Sequence, residues 1–203
     1  GREQEIEKLE NYISSRKSEF IAIYGRRRIG KTFLVKELFE NRFAFRVTGK
    51  DNVTTKEQLT SFSFALNDQL GIETDVTNWP EAFRLLQKAL EKMTDGTKII
   101  FFDELPWFDT YASNFISALE HFWNDWAFYR SDIKLIACGS ATTWMLNQVI
   151  NSRGGLHNRI THNILLSPFK LHEVEEYFKS QGFYYERPEI IECYMAMGGV
   201  AYY

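Results

Sequence analysis

The sequence predicts an α/β fold in which a parallel β-sheet is covered by helices on both faces. Two observations support this. Short apolar runs alternate along the chain with longer segments whose apolar residues recur at helical spacing, an order typical of βαβ units. The strand predicted at residues 98–102 is continuously apolar after Lys98, as expected of a strand buried on both faces of a parallel sheet. In such sheets ligands bind beyond the carboxyl ends of the strands.

These two patterns place the elements in order. Apolar residues at helical spacing predict helices at residues 3–15, 31–39, 59–70, 80–93, 115–126, 171–180 and 188–197. Apolar runs predict strands at residues 20–24, 43–48, 98–102, 133–138 and 164–166. Gly71 is expected to end its helix, and Pro80 stands in a first turn, where proline is tolerated. The aromatic stripe Phe115, Phe122 and Trp126 is interpreted as core.

Composition limits the class of protein. The 203 residues are 44% apolar, which is enough for one globular core and too hydrophobic for disorder. We expect no membrane helix, because no run approaches about 18 apolar residues, and no secretory leader is expected. Two cysteines cannot build a disulfide framework, so a cytoplasmic location is expected. The net charge of −3 argues against a globally basic nucleic-acid surface, although a local basic patch stays open.

A phosphate-binding pattern, G-x-x-x-x-G-K-T, lies between the first strand and the second helix, at residues 25–32. Gly25 and Gly30 allow the close backbone approach with which successive N–H groups wrap a phosphate. Lys31 is expected to reach the β and γ phosphates, and the Thr32 hydroxyl is suited to Mg²⁺. The residues expected to bind the nucleotide are Gly25, Arg26, Arg27, Arg28, Ile29, Gly30, Lys31, Thr32 and Phe33. The three adjacent arginines are able to face phosphate, a partner or solvent.

Two further candidate groups follow strand ends. Asp103 and Glu104 come after the third strand, where Asp103 would organise the Mg²⁺ shell and Glu104 would act as general base on water. The alternative is that this pair caps the next helix. Ser140 follows the fourth strand and is a candidate contact for the γ-phosphate or the attacking water, or else the N-cap of a helix that begins near Thr142.

Arg159 precedes the last strand in a glycine-containing loop. An arginine there is a candidate for stabilising charge on the transferred phosphoryl group, in the same subunit or in a neighbouring one. The alternative interpretation is a surface arginine or a structural ion pair.

The chain resembles the archaeal-type ATPase family, P-loop ATPases of the AAA+/STAND group with many bacterial members. The resemblance is carried by residues 1–3, 24–32, 102–107, 138–141, 165–169 and 198–200. It implies a P-loop NTPase fold with strand order 5-1-4-3-2, Walker A and Walker B roles for the first two sites, and a sensor role for Ser140. It also implies that Arg2 and its neighbours lie near the adenine.

The family resemblance also bears on domain organisation. Members usually continue into a winged-helix lid and often a nuclease-like domain, so we expect residues 1–180 to form the ATPase core and residues 181–203 to begin a lid. The chain starts without Met and ends in an apolar segment, and we therefore expect it to be part of a longer protein.

The leading functional interpretation is a module that binds and hydrolyses Mg-ATP and acts as a conformational switch or remodelling motor. A small-molecule kinase is one alternative, although an Asp-Glu pair suits the activation of water better. GTP is disfavoured because the sequence lacks an Asn-Lys-x-Asp segment. A nucleotide-gated DNA- or protein-binding module with negligible turnover is the non-enzymatic alternative. A nucleotide-dependent homo-oligomer is compatible with each of these.

Overall fold

The structure of the chain, a computed structural model, describes residues 2–94, 96–151 and 154–200. Five strands alternate with helices: β1 (Glu19–Tyr24), β2 (Phe43–Thr48), β3 (Lys98–Asp103), β4 (Ile133–Gly139) and β5 (His162–Leu165). The helices are α1 (Glu3–Ile13), α2 (Lys31–Phe39), α3 (Thr55–Leu70), α4 (Trp79–Lys92), α5 (Phe115–Asp125), α6 (Thr142–Trp144), α7 (Leu171–Ser180) and α8 (Arg187–Met197). Each strand and helix expected from the sequence is present within a few residues of its expected bounds.

All strand pairs are parallel, and the sheet order is β2-β3-β4-β1-β5. This is the order 5-1-4-3-2 counted from the other edge, so both the fold class and the topology expected from the sequence are confirmed. The register aligns Tyr24 with Gly139 and Phe102 with Ala137, so β1, β3 and β4 end at the same edge of the sheet. We call this the carboxyl edge.

The central strands are buried on both faces, and each face has its own core. Along β1, Phe20 and Ala22 point into a large aromatic core with α3, α4 and α5, whereas Ile21 and Ile23 pack against α1 and α2. Successive side chains of a strand point to opposite faces, so one apolar run serves two cores. Fully buried Trp79 belongs to the larger core.

Helix termini follow the expected signals. Thr54 accepts a hydrogen bond from the Glu57 N–H while the Glu57 carboxylate accepts one from the Thr54 N–H, a capping box that begins α3. Gly71 ends the same helix in the left-handed conformation at φ 65°. These local bonds fix where α3 begins and ends.

The amino edge of the sheet contains a charged cluster. The buried Lys98 donates to Asp132 at 2.7 Å, and Arg130 donates to the same carboxylate through two nitrogens at 2.7 and 2.8 Å. The Arg130 guanidinium, followed by Lys98, holds the pKa of Asp132 well below its usual range. The cluster stabilises the starts of β3 and β4.

The chain after β5 turns back on itself. The Phe169 N–H donates to the Gly199 carbonyl at 2.8 Å, and a Cβ on Gly199 would lie 2.0 Å from the Phe169 oxygen. Residues 201–203, the end of the expected lid segment, lie outside the described residues, as does Gly1. Within the described residues, no helix combines the length and the apolar character needed to cross a membrane.

Candidate nucleotide-binding site

The loop at residues 25–30 connects β1 to α2 at the carboxyl edge. Gly25 has φ 143°, and a Cβ there would lie 2.2 Å from the carbonyl oxygen of Leu166, so only glycine fits between the loop and the chain after β5. Gly30 has φ 90° and is the N-cap of α2. The loop therefore presents the first turn of α2, with its unpaired N–H groups, to the space above the sheet.

Lys31 is buried inside this loop. Its Nζ donates to the carbonyl oxygens of Gly25 and Arg26, both at 3.0 Å. Burial lowers the pKa of Lys31, and the nearby Glu104 carboxylate opposes that shift. The ammonium is thus held at the loop, where an anionic ligand would complete its coordination.

The structure brings Thr32 and Asp103, the two residues expected to bind Mg²⁺, into contact. The Thr32 hydroxyl lies 2.9 Å from one carboxylate oxygen of Asp103 and 3.0 Å from the other. Burial raises the pKa of Asp103, and the hydrogen bond from Thr32 acts in the opposite direction. The donor set fits Mg²⁺, which prefers oxygen and keeps several waters. The described residues contain no cluster of three or more His, Cys, Asp or Glu that would hold a metal ion by themselves.

Glu104 is oriented by Ser140. Its Oε2 accepts one hydrogen bond from the Ser140 hydroxyl at 2.8 Å and another from the Ser140 N–H at 3.1 Å. Glu104 also has left-handed backbone dihedrals, φ 48° and ψ 50°, a conformation that costs a non-glycine residue about 1–2 kcal/mol. Strain of this kind is common at functional sites.

Glu104 and Ser140 do not cap the helices that follow them, which was the alternative role for each in the sequence analysis. The short helix Leu105–Phe108 after Glu104 has no side-chain cap, and α6 begins after Ala141, also without one. The Ser140 side chain turns toward Glu104 instead. The sheet thus brings Lys31, Thr32, Asp103, Glu104 and Ser140 together at the carboxyl edge.

A cavity of about 610 Å³ extends from these groups across α2. Gly30, Lys31, Thr32 and Glu104 line its polar end, and Arg28, Ile29 and Phe33 of the predicted set also line it. The remaining wall is largely apolar and is formed by Ile6, Leu34, Leu38, Phe169 and Tyr177, among others. A nucleotide needs polar groups around its phosphates and an apolar surface for its base, and this cavity offers both.

Arg2 lines the same cavity, and its implied place near an adenine stays a prediction. Its guanidinium donates to the Ser167 carbonyl at 2.7 Å and lies 4.4 Å from the centre of the Phe169 ring. Burial lowers the pKa of Arg2. The sequence analysis assigned no role in the site to Ile6, Phe169 or Tyr177, because each is an ordinary apolar residue of a helix or loop.

Arg26 and Arg27 have a different position. Their side chains are exposed and line a separate groove, with the Arg27 guanidinium 5.6 Å from the Trp107 ring centre. Arg26 reaches the nucleotide site through its backbone carbonyl, which binds Lys31. The sequence left these side chains able to face phosphate, a partner or solvent, and the structure exposes both in this groove. Nucleotide binding by the loop that contains them stays a prediction.

Arg159 lies at the amino edge of the sheet, opposite the carboxyl edge where the phosphate loop lies. This position corrects the expectation that Arg159 stabilises the transferred phosphoryl group within the same subunit. Thr161 pairs with Phe20 at the start of β1, whereas the phosphate loop begins after Tyr24, about 16 Å further along the strand. The Arg159 guanidinium stacks on Phe128 at 4.7 Å from the ring centre. Within this chain it does not reach the loop.

Comparisons with known proteins identify the family and support the fold. The family model described as an ATPase domain predominantly from Archaea matches residues 1–203. An uncharacterised protein of Methanocaldococcus jannaschii is 30% identical over 205 residues, which covers 100% of this chain and 42% of that protein. A Walker-type ATPase of Pyrococcus abyssi has TM-score 0.68 at 20% identity, covering 99% of this chain and 64% of its own.

Cdc6p from Pyrobaculum aerophilum has TM-score 0.63 at 17% identity, over 89% of this chain and 48% of its own. These two solved structures support the fold. The chain spans less than two thirds of the length of each of these three relatives.

Proposed function

Since the chain belongs to the family of ATPase domains found predominantly in Archaea, we propose that it binds and hydrolyses Mg-ATP and acts as a nucleotide-dependent switch or remodelling module. The single observation that carries the proposal is the cavity at the carboxyl edge. Its lining combines Lys31, Thr32 and Glu104 with Arg2 and a largely apolar wall, a combination that supports nucleotide binding.

The hydrolysis step assigns a role to each of three side chains. Lys31 would bind oxygens of the β and γ phosphates and stabilise the charge that develops there. Glu104 would accept the proton of the water that attacks the γ-phosphorus, as the bond from that phosphorus to the bridging oxygen breaks. Ser140 would keep the Glu104 carboxylate oriented through the two hydrogen bonds to Oε2.

Thr32 and Asp103 would hold Mg²⁺, because their oxygens lie adjacent at the end of the loop. When bound, Mg²⁺ supplies positive charge to the phosphate oxygens. The buried carboxylate of Asp103 costs free energy in the free protein, and a cation would offset that cost.

A nucleotide-gated binding module with negligible turnover is the second candidate, and one observation favours it. The two hydrogen bonds from Ser140 occupy Oε2 of Glu104, one of the two carboxylate oxygens that would accept a proton from water. Phosphate release measured without an acceptor separates the two candidates and also separates ATP hydrolysis from a kinase reaction.

Nucleotide binding is tested by a thermal-shift panel of ATP, ADP and GTP, with and without Mg²⁺. At a hundredfold excess over Kd, ATP should stabilise the protein by about 2.7 kcal/mol, or roughly 5–11 °C in Tm for a domain of this size. Lys31→Ala should lose about ten- to a hundredfold in affinity, since a charge-assisted bond contributes roughly 1.5–3 kcal/mol. Lys88→Ala, an exposed lysine on α4, is the matched control. Equal affinities of the two variants would contradict the assignment.

We further propose a cytoplasmic location, the division into a core at residues 1–180 and the start of a lid from residue 181, and a DNA or protein partner. The two cysteines of the described residues are free thiols, which supports a reducing compartment. A nucleotide-dependent homo-oligomer would leave open a role for Arg159 toward a neighbouring subunit.

A further inference from the structure

A second concave surface lies beside the phosphate loop and is not part of the nucleotide cavity. It is an open groove of about 760 Å³. Arg26 and Arg27 form one end, Ser140 lies beside them, and Trp144, Asn147 and Gln148 continue the wall. The stretch Met145–Ile150 has π-helical hydrogen bonding, which is rare and occurs mostly at functional sites.

The groove is rich in hydrogen-bond donors and positive charge. Two guanidiniums, the hydroxyls of Ser140, Thr142 and Thr143, and two side-chain amides line it. Of the described residues that form its wall, none is acidic. The Asp109 carboxylate behind Trp144 accepts the indole N–H at 3.1 Å, which fixes the ring. A surface of this composition suits an anionic ligand.

The charges favour carboxylates over a nucleic-acid backbone. Guanidiniums match carboxylates and phosphates alike, whereas the amides of Asn147 and Gln148 are suited to the peptide groups of a protein segment. A nucleic-acid site usually combines many more cations with a basic domain, whereas this chain has net charge −3 and two cations in the groove. We propose that the groove binds an acidic peptide segment of a partner protein.

The groove shares two residues with the nucleotide site. Ser140 binds Glu104 through its N–H and hydroxyl, and Arg26 accepts a hydrogen bond from Lys31 through its carbonyl. A peptide in the groove therefore contacts the two segments that hold the general base and the lysine. A bound peptide would lie close enough to these two segments for the nucleotide site to respond to it. The binding of the peptide does not itself depend on ATP hydrolysis.

The test is fluorescence anisotropy of a labelled oligo-glutamate peptide, titrated with the protein in the absence of nucleotide. We expect saturable binding that weakens with salt. The double variant Asn147→Asp and Gln148→Glu puts two carboxylates of nearly the same shape into the groove. It should weaken binding by about tenfold or more, because like charges at an interface are strongly unfavourable.

The control makes the same two chemical changes elsewhere. Asn67→Asp and Gln181→Glu alter exposed amides on α3 and after α7, outside the groove, and should leave peptide affinity within about twofold once long-range charge is screened by salt. Thr143→Glu is a second groove variant in case the double variant folds poorly, and it should also weaken binding. Absence of saturable binding, equal losses in groove and control variants, or tighter binding of single-stranded DNA than of the peptide would each overturn the proposal.

Discussion

Replacement of Glu104 by glutamine separates the binding of ATP from its hydrolysis. The glutamine side-chain oxygen can still accept the hydrogen bonds from the Ser140 N–H and hydroxyl, now 3.1 and 2.8 Å from Oε2. The shape and orientation of the side chain are therefore retained, whereas the basic carboxylate is lost. Any large effect must then come from proton transfer and not from a collapsed site.

The expected loss in rate follows from the chemistry. A positioned base contributes about 10²–10⁴-fold, equivalent to roughly 2.7–5.4 kcal/mol in the barrier. ATP affinity should change little, because the contacts expected for the phosphates come from Lys31 and the loop. Glu73→Gln makes the same chemical change at an exposed loop position and should behave like the unmodified protein.

The assay is single-turnover hydrolysis beside an ATP titration and a melting curve on the same samples. A normal rate in Glu104→Gln would remove Glu104 from the chemistry. A rate that falls only as far as ATP affinity falls would show that the residue supports binding alone, which would equally refute the assignment of a general base.

Three further outcomes are expected. Gly25→Ala should destabilise the protein by several kcal/mol because its Cβ would meet the Leu166 oxygen at 2.2 Å, whereas Gly71→Ala, with open space around it, should cost about 1 kcal/mol; equal melting temperatures would contradict this. Asp132→Asn should cost about 1–2 kcal/mol at neutral pH, a modest value because a quarter of the side chain is exposed. Because the folded-state pKa of Asp132 is lowered, the difference in free energy of unfolding between the two proteins should be full above pH 3.8, the ordinary pKa of the group, and should shrink as the pH falls below that value. Chemical denaturation at several pH values measures this difference. A difference that does not change with pH would contradict the ion pair. Arg159→Ala should leave ATP affinity of the isolated chain unchanged by calorimetry, and a weaker affinity would place the guanidinium near the nucleotide after all.

The strands of the sheet could be predicted because their short apolar runs differ clearly from the helical spacing of apolar residues between them. Residues 99–102 are apolar on both faces of the strand, which is typical of a strand in the middle of a parallel sheet. The glycines, Lys31 and Thr32 could also be selected from the sequence as candidates, since the spacing of such a loop is fixed by the shape of a phosphate. The assignment of Asp103 to a Mg²⁺ site depended on the presence of that loop.

Other features depend on tertiary packing and could not be read from the chain. The partner of Ser140 is Glu104, 36 residues away in sequence, and local signals offered helix capping instead. Arg159 is different: because it precedes a strand of a parallel sheet, its position at the edge remote from the loop already follows from the predicted fold. The apolar wall of the cavity combines Ile6 of α1 with Tyr177 of α7, and this juxtaposition is visible only in the folded chain.

The most direct test of the central claim is phosphate release from Mg-ATP, with no acceptor present, by the unmodified protein and by Lys31→Ala. The geometry at the carboxyl edge predicts repeated turnovers by the unmodified protein and little release by the variant, because the buried ammonium of Lys31 lies inside the loop expected to hold the phosphates. Equal release from both proteins, or none from the unmodified protein at saturating Mg-ATP, would contradict it.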